Sequence, residues 1–185
     1  MPARRRVQGF SRSSFFFQFG LTLIELILVL AITAILAGLA SPAISSWVDT
    51  ARSKAVRQQI SSLLSDARYR ALSRAEILTI CRLEAGQCSS DFGFPLSTFV
   101  DLDKDAVLDV DEALLSEVTA RIPEKARINW NRKGGYLRFW PNGGTGALTG
   151  SVTYCDSETP KNDFRVVVAR TGRLRIEKED TGCPP

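Results

Sequence analysis

The sequence predicts an α+β fold, one long helix laid against antiparallel β-sheets. Two observations carry this. An apolar run that begins at Gly20 passes into a three- and four-residue repeat of apolar side chains as far as Arg74. After Ala75 that repeat stops, and short runs rich in β-branched and aromatic residues follow, separated by turn residues. A third observation concerns chemistry. The chain has no histidine and no organised nucleophile, so catalysis is not expected, and assembly or binding is.

Four segments follow in order: a basic leader over 1–20, a transmembrane helix over 21–41, its amphipathic continuation over 42–75, and a β-rich globular domain over 76–185. Arg4, Arg5, Arg6 and Arg12, with no acid among them, account for the whole net charge of +4. Beyond Gly20 the chain is formally neutral, so the high pI describes a leader and does not by itself indicate a nucleic-acid binder. Leu21 to Ala40 carries a single charge, Glu25. At ~1.5 Å per residue that run is ~30 Å long, the thickness of a bilayer core. Basic residues ahead of it place the N-terminus in the cytoplasm and the rest on the far side. An oxidising far side suits four cysteines. A secretory signal would have its small-residue cleavage site after the apolar run, whereas here the candidate glycine precedes it.

Past Pro42 the apolar positions are Ile44, Trp47, Val48, Ala51, Ala55, Val56, Ile60, Leu63, Leu64, Ala67, Ala71 and Leu72. One helix from about Leu21 to about Arg74 is expected, loosened at Gly38 and Pro42, with Arg52, Lys54, Arg57, Arg68, Arg70 and Arg74 on a solvated face. The predicted strands are EILTICR, PLSTFVD, ALLSEVTA, ARINWNR, GYLRFWP, GSVTYC, FRVVVAR and RLRIEK. RKGG and RTGR are expected as tight turns, and PNGGTGALTG as a flexible loop. That loop lacks the Lys-Ser/Thr ending of a phosphate-binding loop.

The stretch GLTLIELILVLAITAILAGLASP resembles the N-terminus of type IV prepilins and type II secretion pseudopilins. The resemblance implies cleavage by a prepilin peptidase between Gly20 and Leu21, N-methylation of Leu21, and a helix kink at Pro42. Leu21 stands where the family usually has Phe, and the leader is long, with Phe15, Phe16 and Phe17 in it. Cleavage creates an α-amino group inside an apolar bundle. Glu25 of one subunit can pair with that amine on its neighbour, which relieves two desolvated charges and fixes axial register. The implied setting is a single-pass inner-membrane protein with its globular domain in the periplasm, later part of a pilus or pseudopilus. Implied partners are the lipid bilayer, an inner-membrane assembly platform, and other major and minor pilins or pseudopilins.

Farther along, the chain resembles the GspH/FimT branch of that family. The features are Cys81 with Cys88, the acidic run Asp101 to Glu112, and the turn Gly172-Arg173-Leu174-Arg175. The branch implies a minor pilin of a type IV pilus that binds double-stranded DNA for uptake, or alternatively a minor pseudopilin of a type II secretion system.

Spacing favours disulfides Cys81–Cys88 and Cys155–Cys183, and no pair has the spacing of a zinc site. Asp101, Asp103, Asp105, Asp109 and Glu112 occupy positions 1, 3, 5, 9 and 12 of a calcium loop, with Ala106 where that loop uses Gly. Two readings stay open there: a calcium site, which would make a calcium-regulated adhesin a third class, or an acidic turn kept soluble by its charges. No other cofactor is expected. Asp101 to Glu117 holds seven acids and one Lys, whereas Thr119 to Trp140 holds six bases and one acid. Arg173 and Arg175 alternate along the last predicted strand, with Leu174 and Ile176 on its other face. Arg165 and Arg170 fall on the strand before. This group either contacts phosphates or forms a charge ladder with Glu177 and Glu179.

Overall fold

The computed structural model describes residues 22–179, apart from the side chains of residues 39–43. Helix α1 runs from Leu23 to Arg74. Thr22 caps it, its Oγ1 accepting the Glu25 N–H at 3.3 Å. Arg74 sits in the last turn, where its charge complements the helix dipole. The helix continues through Pro42.

The chain divides into two compact units, Met1–Ala43 and Ile44–Pro185. In the first, the aliphatic side chains at the start of α1 are exposed, Leu23 and Ile24 by 76% each. Among the described residues no helix is long and apolar enough to cross a membrane. Residues 23–38 are the described share of the apolar run, and Leu21 and the side chains of 39–43 lie outside it.

The second unit has one core. Val56, Ile60, Leu63, Leu64, Ala67 and Ala71 of α1 join it at three- and four-residue spacing. The apolar stripe is shorter than expected: Ile44, Trp47 and Leu72 are exposed, Trp47 by 74%. Ser53 is buried in their stead, donating to the Asn162 carbonyl at 2.7 Å.

The strands are β1 (Leu78–Cys81), β2 (Leu83–Glu84), β3 (Gln87–Cys88), β4 (Leu96–Val100), β5 (Leu114–Val118), β6 (Ala126–Trp130), β7 (Tyr136–Phe139), β8 (Gly150–Asp156), β9 (Phe164–Val168) and β10 (Leu174–Lys178). All eight predicted strands are present, and β2 and β3 form a small extra hairpin. A front sheet has the order β5-β4-β1-β7 and a back sheet the order β10-β9-β8-β6. Every pairing is antiparallel. Leu78, Ile80, Leu96, Leu137 and Phe139 of the front sheet meet Ile128, Trp130, Val152, Tyr154, Val166 and Val168 of the back sheet in the core that α1 shares.

The outer faces differ. In the back sheet β6 and β9 alternate buried with more exposed residues, as a half-wet sheet should. In the front sheet β1 and β4 are buried at every position. By alternation Thr79, Cys81 and Phe99 share the outer front face, and all are buried. The β2–β3 hairpin and the acidic run are joined to each other there. Cys88 N–H donates to the Ala106 carbonyl at 3.1 Å, and Leu108 N–H to that of Gly86 at 2.7 Å.

RKGG turns at Lys133 and Gly134 as expected, and it links β6 to β7, strands of different sheets. One loop expectation changes. PNGGTGALTG is held in place: Gly143, Gly144 and Thr145 are buried, and Thr145 N–H donates to the Arg170 carbonyl at 3.0 Å.

Candidate assembly and binding sites

Gly20, Leu21 and Cys183 lie outside the described residues. Glu25 is in the first turn of α1 and exposed. It forms no ion pair among the described residues, so an acid in an apolar run is left open to a partner. Pro42 is within α1, and its side chain is not among those described. Cys81 and Cys88 form a disulfide. Cys155 is also disulfide-bonded, and its expected partner is one of the residues outside the described range.

The acidic run separates into three roles. Asp101 directly follows β4 and is fully buried. Its Oδ2 accepts from the Thr79 hydroxyl and from the guanidinium of Arg138, a residue that is itself buried. Strand pairing causes this, because β1 sits between β4 and β7 and sets Thr79 opposite Arg138. Arg138 also lies 5.1 Å from the centre of the Tyr136 ring. Oδ1 of Asp101 is buried with no hydrogen-bond partner among the described residues.

Asp101, Asp103 and Asp105 come together, one oxygen of each within 4.8 Å of the others. Asp109 and Glu112 stand outside that cluster. Glu112 braces the loop, its Oε1 accepting the Leu102 N–H at 2.7 Å and its Oε2 that of Asp109 at 3.3 Å. Partial desolvation, with the charges of Asp105, Asp103 and Asp111, pushes the Asp109 carboxyl above its ordinary 3.8. Ala106, at the sixth position, adopts the left-handed φ of 65° that a calcium loop gives to Gly.

The four arginines form two groups. Arg170 and Arg173 lie in the turn between β9 and β10, not on the strands as expected. Both are exposed and make no ion pair among the described residues. A groove of about 360 Å³ with Tyr69 borders Arg173, and one of about 740 Å³ with Trp140 borders Arg170. Arg165 and Arg175 instead line a third groove of about 460 Å³ on the outer back sheet, with Arg132. There Arg165 pairs with Glu179, and Arg175 pairs with Glu177 at 2.6 Å. The ladder therefore exists, but it spares the turn. Leu174 is half-buried, whereas Ile176 is 49% exposed, more open than alternation predicts at this edge strand.

One residue escaped the sequence reading. Arg68 of α1 is not merely solvated: its Nε donates to the Gly143 carbonyl at 3.1 Å and its Nη2 to that of Thr171 at 3.3 Å. Gly172 fits beneath it with a φ of 73°. A Cβ there would meet the Gly143 oxygen at 1.9 Å. The glycine of the Gly-Arg-x-Arg turn thus allows the turn to dock. Nothing in the local pattern distinguishes Arg68 from the other bases on the helix.

Residues 56–172 match the family model described as "Type II transport protein GspH". Among curated proteins none matches the chain. Two crystal structures of the Pseudomonas aeruginosa type IV minor pilin FimU share the fold at 17% identity. In one the TM-score is 0.53, covering 67% of this chain and 87% of that one. In the other it is 0.51, covering 67% and 91%. The minor pseudopilin EpsH from the type 2 secretion system of Vibrio cholerae gives a TM-score of 0.47 at 11% identity, covering 69% and 97%.

Proposed function

We propose that this chain, which belongs to the GspH family, is a fibre subunit, assembled through its N-terminal helix and exposing its globular domain. The precursor spans the inner membrane with its C-terminal domain in the periplasm. Prepilin peptidase cuts between Gly20 and Leu21, and Leu21 becomes N-methylated. Glu25 then pairs with the Leu21 amine of a neighbouring major or minor pilin as the assembly platform adds subunits. The observation that carries this is the run of exposed aliphatic side chains on α1 with Glu25 as its one charge. Exposed apolar surface on that scale calls for lipid or a neighbouring helix. The role is structural and not catalytic.

The test is mass spectrometry of assembled fibres together with a Glu25→Ala subunit. Leu21 should be the methylated first residue, and the Ala subunit should insert and be cleaved but enter fibres poorly. An intact leader in fibres, or normal incorporation of the Ala subunit, refutes the reading.

Within this role we assign DNA contact to Arg170 and Arg173. Among the described residues neither forms an ion pair, and they lie beside Tyr69 and Trp140, a combination suited to phosphates and base faces. Contact to the backbone predicts weak binding without sequence preference. Replacing both with Gln should flatten the dependence of log affinity on log salt by about 1.8 units. An unchanged slope removes DNA from the proposal. The secretion pseudopilin reading then takes precedence, favoured by the description of the matching family.

A further inference from the structure

We propose that the loop following β4 binds one calcium ion through the carboxylates of Asp101, Asp103 and Asp105. Calcium takes oxygen ligands at about 2.3–2.6 Å, so ligands on one ion lie no more than about 5 Å apart. The three carboxylates meet that limit, with one oxygen of each inside 4.8 Å of the others.

An independent observation comes from Asp101. Its side chain is fully buried, and its Oδ1 has no hydrogen-bond partner among the described residues. Buried acceptors are normally satisfied, and an ion in the cluster would satisfy this one. Asp103 and Asp105 each use one oxygen within the loop, Oδ1 accepting from Asp105 N–H at 3.3 Å and from Val107 N–H at 2.8 Å. Their second oxygens make no hydrogen bond among the described residues.

Charge points to the same class of ion. Arg138 pairs with Asp101, whereas Asp103 and Asp105 form no ion pair among the described residues, so their charges are left to attract a divalent cation. The donors are all hard oxygens, without histidine or free thiolate, which suits calcium and disfavours zinc. Magnesium demands a tighter octahedron and keeps its water, so calcium is the better fit to an adjustable loop. The loop is also held before the ion arrives. Glu112 spans it from Leu102 to Asp109, and the disulfide hairpin grips Ala106 and Leu108.

The experiment uses the purified full chain in detergent micelles, stripped with EDTA and titrated with CaCl2 by calorimetry. One saturable site is expected, half-filled in the range of about 10⁻⁴–10⁻³ M typical of extracellular modules. Asp103→Asn/Asp105→Asn should weaken it at least tenfold. Both residues are exposed, so the variant should keep the wild-type melting temperature in EDTA but lose the upward shift that calcium gives the wild type. If the double variant melts early in EDTA, Asp103→Asn alone serves, again with a weakened site expected. MgCl2 at equal concentration should give no saturable heat. No saturation of the wild type by about 10 mM CaCl2 overturns the proposal. So does an unchanged affinity in the variants, or equal binding of magnesium.

Discussion

The front and back sheets have four strands each and share one core, yet two of their ion pairs are held in opposite ways. On the outer front face the disulfide hairpin joins the acidic loop, and the ion pair Arg138–Asp101 lies with side chains 7% and 0% exposed. On the outer back face the pair Arg175–Glu177 stands in solvent, 71% and 38% exposed. Burial decides what each pair does. Both front charges are desolvated, so each depends on the other. Water screens the back pair, and it adds little to stability while remaining available to a ligand.

Breaking the front pair should have the largest effect. Arg138→Leu leaves Asp101 buried without its countercharge and should cost about 3–5 kcal/mol in denaturant unfolding. Adding Asp101→Leu should recover part of that loss. A double variant no better than the single one would show that the pair is not the source of the cost.

Next comes the turn that closes the back sheet. Gly172→Ala places a Cβ 1.9 Å from a carbonyl oxygen at a φ of 73°. Left-handed strain and overpacking together should cost about 3 kcal/mol. A wild-type melting temperature for this variant would contradict the described docking. Third is the front hairpin, where the cysteines lie seven residues apart. Cys81→Ser/Cys88→Ser should cost about 2.5 kcal/mol by loop-closure entropy. Losing much more would mean that the hairpin carries the acidic loop down with it.

The mildest effects belong to the back sheet. Arg175→Gln should cost less than about 1 kcal/mol, and a larger loss would mean that the exposed pair behaves like the buried one. Acid should act on the connection after β8. Burial there pushes against ionisation of Asp156, yet the Thr159 hydroxyl and the N–H groups of Glu158 and Thr159 hold its carboxyl below the ordinary 3.8. A depressed carboxyl stabilises the fold above its unfolded value, and that contribution disappears as pH falls through the folded value. Asp163 is shifted upward by burial, so its contribution has the opposite sign and is lost as pH rises through its own range. Melting profiles below pH 4 should therefore fall less steeply for Asp156→Asn than for the wild type.

Local pattern made the helix and eight strands legible, because periodicities of 3.6 and 2 are written residue by residue. Pairing order is not local. Asp101 occupies the first position of an acidic repeat, and only the insertion of β1 between β4 and β7 makes it the partner of Arg138, 37 residues away. For the same reason Arg173 and Arg175 looked equivalent. One falls in the turn and the other in the ladder, a distinction that depends on where β10 begins. Trp47 fits the apolar stripe by spacing but is exposed, since spacing identifies a face without saying how far the sheets extend along it.

In the fibre proposed above, a subunit would feel load along its helix. Arg68 is fixed in α1 by its backbone, and its side chain grips the loop after β7 at Gly143 and the β9–β10 turn at Thr171. Pull on the helix thus reaches the arginine turn through one hydrogen bond and the loop after β7 through the other. Arg68 is a mechanical coupling in that sense. Its replacement by Met should speed hydrogen exchange at the Thr145 and Gly172 amides while leaving the strand amides slow, and equal rates in both proteins would show that the load takes another route.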